Sequence, residues 1–264
     1  MLTHPPPSSC FPACPLPTDR FKYIPDPSYT KQLVAQLHKR MESSQPSGPT
    51  LSQALWAIAA LRLGNPGKVW MEVWGLRARH GLHTFTPQCL AHSVWALSEL
   101  CGPPQEPPEA EVLEALLLKC GQELPSMSCM ELTTLVASLA QLQYRPSDAW
   151  LGAYAEHMRE RLPDLQNQDF GQLLWGLASL AAPVEQSWLE ALVRQAGKKW
   201  WSMDLESMAL LLWGLAQYGY QPDKRDWWTG FWRESDLRWE GASPRTLGLL
   251  LVALAQLLDA PPSK

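Results

Sequence analysis

Phe170-Gly171-Gln172-Leu173-Leu174-Trp175-Gly176-Leu177-Ala178-Ser179-Leu180 is a stretch that the chain repeats. Met208 to Tyr218 reads Met-Ala-Leu-Leu-Leu-Trp-Gly-Leu-Ala-Gln-Tyr, and Leu51–Leu61 and Leu90–Leu100 carry the same Trp-Ala-Ile/Leu centre. Leu132–Leu142 and Leu247–Leu257 keep the frame with Ala137 and Val252 in place of Trp. The six equivalent positions are 56, 95, 137, 175, 213 and 252, separated by 39, 42, 38, 38 and 39 residues. A fixed period of this size is the signature of a stacked repeat array. The expected fold is all-α: a right-handed α-solenoid of about six helix-pair repeats of 38–42 residues.

Each unit reads alike. A Leu/Trp helix ends at Gly or a loop and is followed by Pro66, Pro104, Pro146, Pro183, Pro222 or Pro261; proline just past a helix end is a stop signal. A second helix follows, often opening with Trp (Trp70, Trp150, Trp188, Trp227). The Leu/Trp helix is apolar on more than one face, so it is expected to be walled in by its copies. Gly176 and Gly214 leave room for close backbone approach, and Asp169 and Ser207 are placed to cap. The second helix is amphipathic. Trp150, Leu151, Tyr154, Met158 and Leu162 form one stripe, and Glu156, His157, Arg159 and Glu160 face away. Its polar face is the expected wet surface of the array. Trp at helical spacing beside Leu reads as core, but the adjacent pairs Trp200-Trp201 and Trp227-Trp228 cannot both point inward. One of each is expected to be exposed, as a stacking platform or an interface anchor.

Ahead of the array, residues 1–28 form a Pro-rich leader. Proline at this density prevents a regular helix. The leader is expected to be disordered, with an organelle-targeting segment as the other reading: its Ser content and late first acidic residue, Asp19, fit one, and its lone Arg20 does not. Residues 29–49 read as a helix, with apolar Leu33, Val34, Leu37 and Met41, and a Ser/Pro/Gly linker; residues 50–264 are the repeat array.

A net charge of −4 and a pI near 5.9 do not describe a strongly basic nucleic-acid binder. The charge is uneven, though: Arg62–His80 is basic and Glu99–Leu124 acidic. Six Cys without a Cys-x-x-Cys pair suggest free, mostly buried thiols in a reducing compartment. His80 and His83 lack the further ligands that a metal needs. There is neither a Gly-rich phosphate loop nor a Gly-x-Ser-x-Gly elbow. No metal, cofactor, membrane span or catalysis is expected.

The residues resemble the octotricopeptide repeat proteins of green-algal organelles, which are similar to the Leu-rich region of the mitochondrial FAST-kinase-like family. Met208–Pro222 matches that family's Leu-rich motif closely, and Leu173–Leu180 and Leu139–Pro146 match well. The resemblance covers roughly residues 50–264. The family's Pro-rich start before Glu-Trp is degraded here to Pro146-Ser-Asp-Ala-Trp150, Pro183-Val-Glu-Gln-Ser-Trp188 and Pro222-Asp-Lys-Arg-Asp-Trp227. The unit after Pro104 has no matching Trp, and a RAP-like domain is not expected after the last Leu-rich helix.

The resemblance implies a non-catalytic protein that binds single-stranded organellar RNA, in chloroplast or mitochondrion, during transcript stabilisation, processing or translation. A few side chains per repeat would read each base, and Lys/Arg would hold phosphates. The candidate contacts are Arg77, Arg79, Asp148, His157, Arg194, Lys198, Lys224 and Arg225; each also reads as ordinary solvated surface. The rival is a helical-repeat scaffold that binds protein partners, which the acidic net charge favours.

Overall fold

A computed structural model describes residues 26–103, 105 and 107–259. The leader to residue 25, together with Pro104 and Pro261, lies outside the described residues. Among those described there are twelve α-helices and no strand. After α1 (Pro27–Ser43), inner and outer helices alternate. The inner ones are α2 (Gly48–Ala60), α4 (Pro87–Cys101), α6 (Cys129–Gln141), α8 (Asp169–Ser179), α10 (Leu205–Gln217) and α12 (Pro244–Asp259). The outer ones are α3 (Lys68–His80), α5 (Ala110–Glu123), α7 (Asp148–Arg161), α9 (Gln186–Ala196) and α11 (Arg225–Asp236). A short 3-10 turn follows each outer helix, as at Leu82–Thr84 and Trp200–Ser202. Pro27 and Ser28, read above with the leader, open α1: Asp26 accepts a hydrogen bond from the Ser28 N–H, and Pro tolerates the first helical turn. The array likewise opens at Gly48 rather than Thr50.

The chain forms two compact units. In the first, residues 26–127 with 141–143, α2 packs on α4, α1 on α3 and α3 on α5. In the second, residues 128–140 and from 144 onward, α8 packs on α10, α10 on α12 and α7 on α9. Like thus packs on like between successive repeats, and in the first unit α4 also packs on α5 and α2 on α3.

Small residues allow that approach. A Cβ on Gly171 would lie 2.6 Å from the Ser207 carbonyl oxygen, and one on Gly214 would lie 2.6 Å from Leu174 Cγ. Between these small positions the large side chains fill the core: Trp175, Leu174, Leu211 and Leu212 are buried, as are Trp95 and Trp213. Trp56 is the exception among the four repeat-centre indoles. It is half-buried and stacks on His92 with ring centroids 5.9 Å apart.

The same polar bonds recur in register. The Trp74 indole N–H donates to the Leu51 carbonyl (3.0 Å), and the Tyr154 hydroxyl donates to the equivalent carbonyl of Leu132 (2.8 Å). Trp188 and Trp227, one repeat apart, donate to Ala155 (2.7 Å) and Val193 (3.0 Å) of the preceding outer helix. Lys199 donates to the Pro163 carbonyl (3.0 Å), and Arg238 to that of Trp201 (2.8 Å), tying one 3-10 turn to the turn before it. Asn65 and Arg145 reach the last carbonyls of the following inner helix, at Leu100 (3.1 Å) and Leu180 (2.8 Å). These bonds take up the C-terminal carbonyls that a helix leaves unpaired.

Four inner helices end on a residue in the left-handed conformation at one register position: Arg62, Gln143, Ala181 and Gly219. The next N–H then closes back on the helix, as Leu63 to Ile58, Tyr144 to Leu139, Ala182 to Leu177 and Tyr220 to Leu215. This is the Schellman arrangement, normally built on glycine, yet only one of the four is Gly.

The expected caps are corrected. Asp204, not Ser207, caps α10, accepting from the Ser207 N–H at 2.7 Å. Ser207 lies one turn inside, buried against Gly171. Asp169 does not cap α8. Its carboxylate accepts from the Gln166 N–H (2.7 Å) and the Thr133 hydroxyl (3.3 Å), joining α8 to α6. Burial pushes that carboxyl above its ordinary range, against these two hydrogen bonds and the nearby Lys199 charge. Of the paired indoles, Trp200 is buried and Trp201 is 69% exposed. Trp227 is buried, and Trp228 is half-buried with its N–H on the Pro222 carbonyl.

Candidate nucleic-acid interface

The candidate contacts divide between the units. In the first, both lie on α3 and both are engaged. Arg77 donates to the carbonyls of Met41 (2.7 Å) and Glu42 (2.9 Å), closing the end of α1. Arg79 is paired with Glu111 of α5. These guanidiniums hold α1 and α5 to α3, and Arg77 spends most of its donors there.

In the second unit, Asp148 sits in the first turn of α7, where its charge suits the helix dipole, and pairs with Arg145 at 2.5 Å. His157 is half-buried further along α7, with Nε2 buried and without a hydrogen-bond partner. Arg194 and Lys198 lie near the end of α9 and are exposed. Lys198 donates to Gln195, two residues from the helix end (3.2 Å). Lys224 and Arg225 open α11 and are exposed.

Arg194 and Lys224 line one surface pocket of about 570 Å³, with Glu190, Tyr220, Asp226 and Trp227. The side chains of Arg194, Lys224 and Arg225 make no hydrogen bond or ion pair among the described residues. Lys224 and Arg225 also stand at the positive end of the α11 dipole, an unfavourable place for cations without a bound anion. The structure thus brings Arg194 and Lys224 together, with Lys198 in the turn just past the end of α9. It engages Arg77 and Arg79 elsewhere.

A second polar set was not singled out from the sequence. The inner helices from α4 to α10 are buried along most of their length, while α12 leaves Leu251 and Val252 exposed, and the inner helices keep polar residues along one edge. In the first unit these edge residues include Gln53, His92 and Glu99, with Gln141 donating to Glu99 at 3.2 Å. In the second they include Thr134, Gln172 and Gln217, with Gln217 donating to Gln256 at 3.3 Å, and Glu206 lies seven residues before its repeat centre. Carboxamides and hydroxyls offer both donors and acceptors without charge. Burial raises the Glu206 carboxyl, Asp204 reinforces this, and Arg245 opposes it. The usable signal was a polar residue three before, or four after, each repeat centre in an otherwise apolar helix.

Among the described residues, no group of His, Cys, Asp and Glu is arranged to hold a metal ion, and no helix is long and apolar enough to cross a membrane. Cys89, Cys101 and Cys120 are free and buried. Burial pushes the Cys101 thiol up to about 11.

No curated protein matches the chain. A family model does: the one described as the Tbc2 translation factor, N-terminal domain, matches residues 23–223, from before α1 to the loop ahead of α11. That span takes in well over half of the chain and five of its six repeat centres, so the chain belongs to the Tbc2 translation factor N-terminal domain family.

Proposed function

We propose that this chain is a non-catalytic, RNA-binding α-solenoid of the octotricopeptide type that acts in organellar post-transcriptional gene expression, with translation as the favoured step. Its ligand in this reading is single-stranded organellar RNA. The observation that carries it is membership of a family named for a translation factor, on a chain built of in-register helix pairs. The second unit supplies chemistry that suits RNA. Arg194 and Lys224 line one pocket, and exposed Lys198 and Arg225 lie close to them in the chain, four cations that suit phosphates. The inner-helix edges offer one or two neutral polar side chains per repeat, a pattern suited to reading exposed bases.

Crosslinking the purified chain to organellar RNA and sequencing what is retained tests the reading directly; recovery of defined transcript segments is the expected result. In a filter-binding assay, Arg194→Glu with Lys198→Glu should weaken retention at least tenfold and flatten its salt dependence. An unchanged curve would remove this pocket from the interface.

A protein-binding scaffold is the second reading. Exposed Trp201, Trp232, Leu237 and Trp239 favour it, since large exposed apolar side chains mark interaction surfaces. Retention of a protein partner that survives RNase treatment, with no RNA crosslinked, would establish it instead.

A further inference from the structure

One register rule governs how an inner helix meets the next. The residue four before a repeat centre faces the residue six before the following centre. The Ser52 hydroxyl donates to the Cys89 carbonyl (3.0 Å) and the Thr133 hydroxyl to the Asp169 carboxylate (3.3 Å), and a Cβ on Gly171 would meet the Ser207 carbonyl oxygen. The residue just before a centre likewise faces the residue just after the following one. A Cβ on Gly176 would lie 3.1 Å from Val136, and one on Gly214 would lie 2.6 Å from Leu174. An inner helix therefore has a forward face and a backward face, and they are complementary in size.

The forward face of α12 is open among the described residues. Leu251 stands just before the repeat centre at Val252 and is 69% exposed. Its five counterparts, Leu55, Val94, Val136, Leu174 and Leu212, are 0% exposed. Gly248, the counterpart of Gly171, has nothing within 4 Å of an added Cβ. Val252 and Ala255 extend the same exposed stripe. A helical array normally closes its end with a polar outer face. Here α12 instead offers the kind of surface that α8 turns towards α10.

The surface that fits it is on the same chain, at α2. The backward positions of α2 are Thr50, which is exposed, and Ala57, which is half-buried; they are the counterparts of Ser207 and Gly214. Leu61, five after the centre, is 52% exposed, whereas its counterparts Leu100, Leu142 and Leu180 are buried. The counterpart in α10 is Tyr218, whose hydroxyl donates to the Ala182 carbonyl of the preceding repeat (3.1 Å). Small residues of α2 thus stand where Gly248 and Leu251 require them, and each of the two faces leaves a leucine in water.

We propose that a second copy of this chain stacks on the first head to tail, its α2 covering α12 in the register of one inner helix on the next. Gly248 then meets Thr50 of the second copy, and Leu251 meets its Ala57. The contact joins two different faces, so each pair keeps one face of each kind free. The inference does not rest on the RNA-binding reading above.

Sedimentation equilibrium of the full chain, freed of nucleic acid, tests this. The average mass should rise above 29.7 kDa as the concentration approaches about 100 μM, a range suited to a contact of one helix per copy. Leu251→Lys and Leu61→Lys each replace an exposed side chain, so neither should shift the melting temperature. Each alone should weaken association at least tenfold. Mixed in equal amounts, the two variants should pair and stop at about twice 29.7 kDa, because each supplies the face that the other lacks. A wild-type chain that stays at 29.7 kDa overturns the proposal. So does association that Leu61→Lys leaves intact, which would mean pairing through two α12 faces, and so does a mixture that fails to pair.

Discussion

The α8–α10 pair of the second unit and the α2–α4 pair of the first are built from one repeat but packed differently. At the position after the repeat centre, α8 and α10 carry Gly176 and Gly214; α2 and α4 carry Ala57 and Ala96. Gly176 brings α8 within 3.1 Å of the α6 backbone, measured from where a Cβ would sit, and Trp175 is sealed at 1% exposure. Trp56, at the same register in the first unit, is half-buried. The outer helices differ in the same sense. Trp188 and Trp227 complete their hydrogen bonds, whereas Trp70 does not and borders a pocket. One repeat pattern thus yields sealed indoles at Trp175, Trp188 and Trp227 and looser ones at Trp56 and Trp70.

The largest test of that difference is truncation of the repeat centre. Trp175→Ala should cost about 3–5 kcal/mol in a denaturant melt, as for a buried indole. Trp56→Ala should cost about 1–2 kcal/mol, since only part of the ring leaves water. Equal losses would mean that the two centres are packed alike. Next comes the close helix contact. Gly171→Ala sets a methyl against the Ser207 backbone and should cost about 1–3 kcal/mol. Gly152→Ala, with nothing within 4 Å of the added carbon in α7, should instead raise stability by about 0.5–1 kcal/mol.

A smaller effect separates the outer helices. Trp188→Phe and Trp70→Phe both shed part of a buried indole, but only the first also strips a carbonyl of its donor, so Trp188→Phe should cost about 1 kcal/mol more than Trp70→Phe. Equal losses at the two sites would show that Trp70 has an acceptor after all. The smallest concerns the helix ends. Ala181→Gly relieves left-handed backbone at a non-glycine residue and should gain about 0.5 kcal/mol, whereas Gly219→Ala should lose a similar amount.

The period, the Trp-centred inner helices and the proline stops were all legible in the sequence, because each shows as a pattern within one window or as its recurrence. The candidate site was less so. Arg77 and Arg194 look alike on paper, both basic and both near the end of an outer helix. Arg77 meets the carbonyls of Met41 and Glu42, and Arg194 meets solvent. The inner-helix edge was passed over because isolated Gln, Thr and Ser in an apolar helix carry no local mark of exposure.

Helix identity here follows from hydrophobic spacing and stop residues, which act over a turn or two of chain and are therefore written in neighbouring residues. Which capping residue, arginine or indole finds a partner is another matter. Those partners lie about one repeat away, as Thr133 does for Asp169 and Ala155 for Trp188, and whether they meet depends on ångström-scale offsets between packed helices. Small residues at the contacts set those offsets, and only in the folded chain do they separate a sealed core from an open pocket.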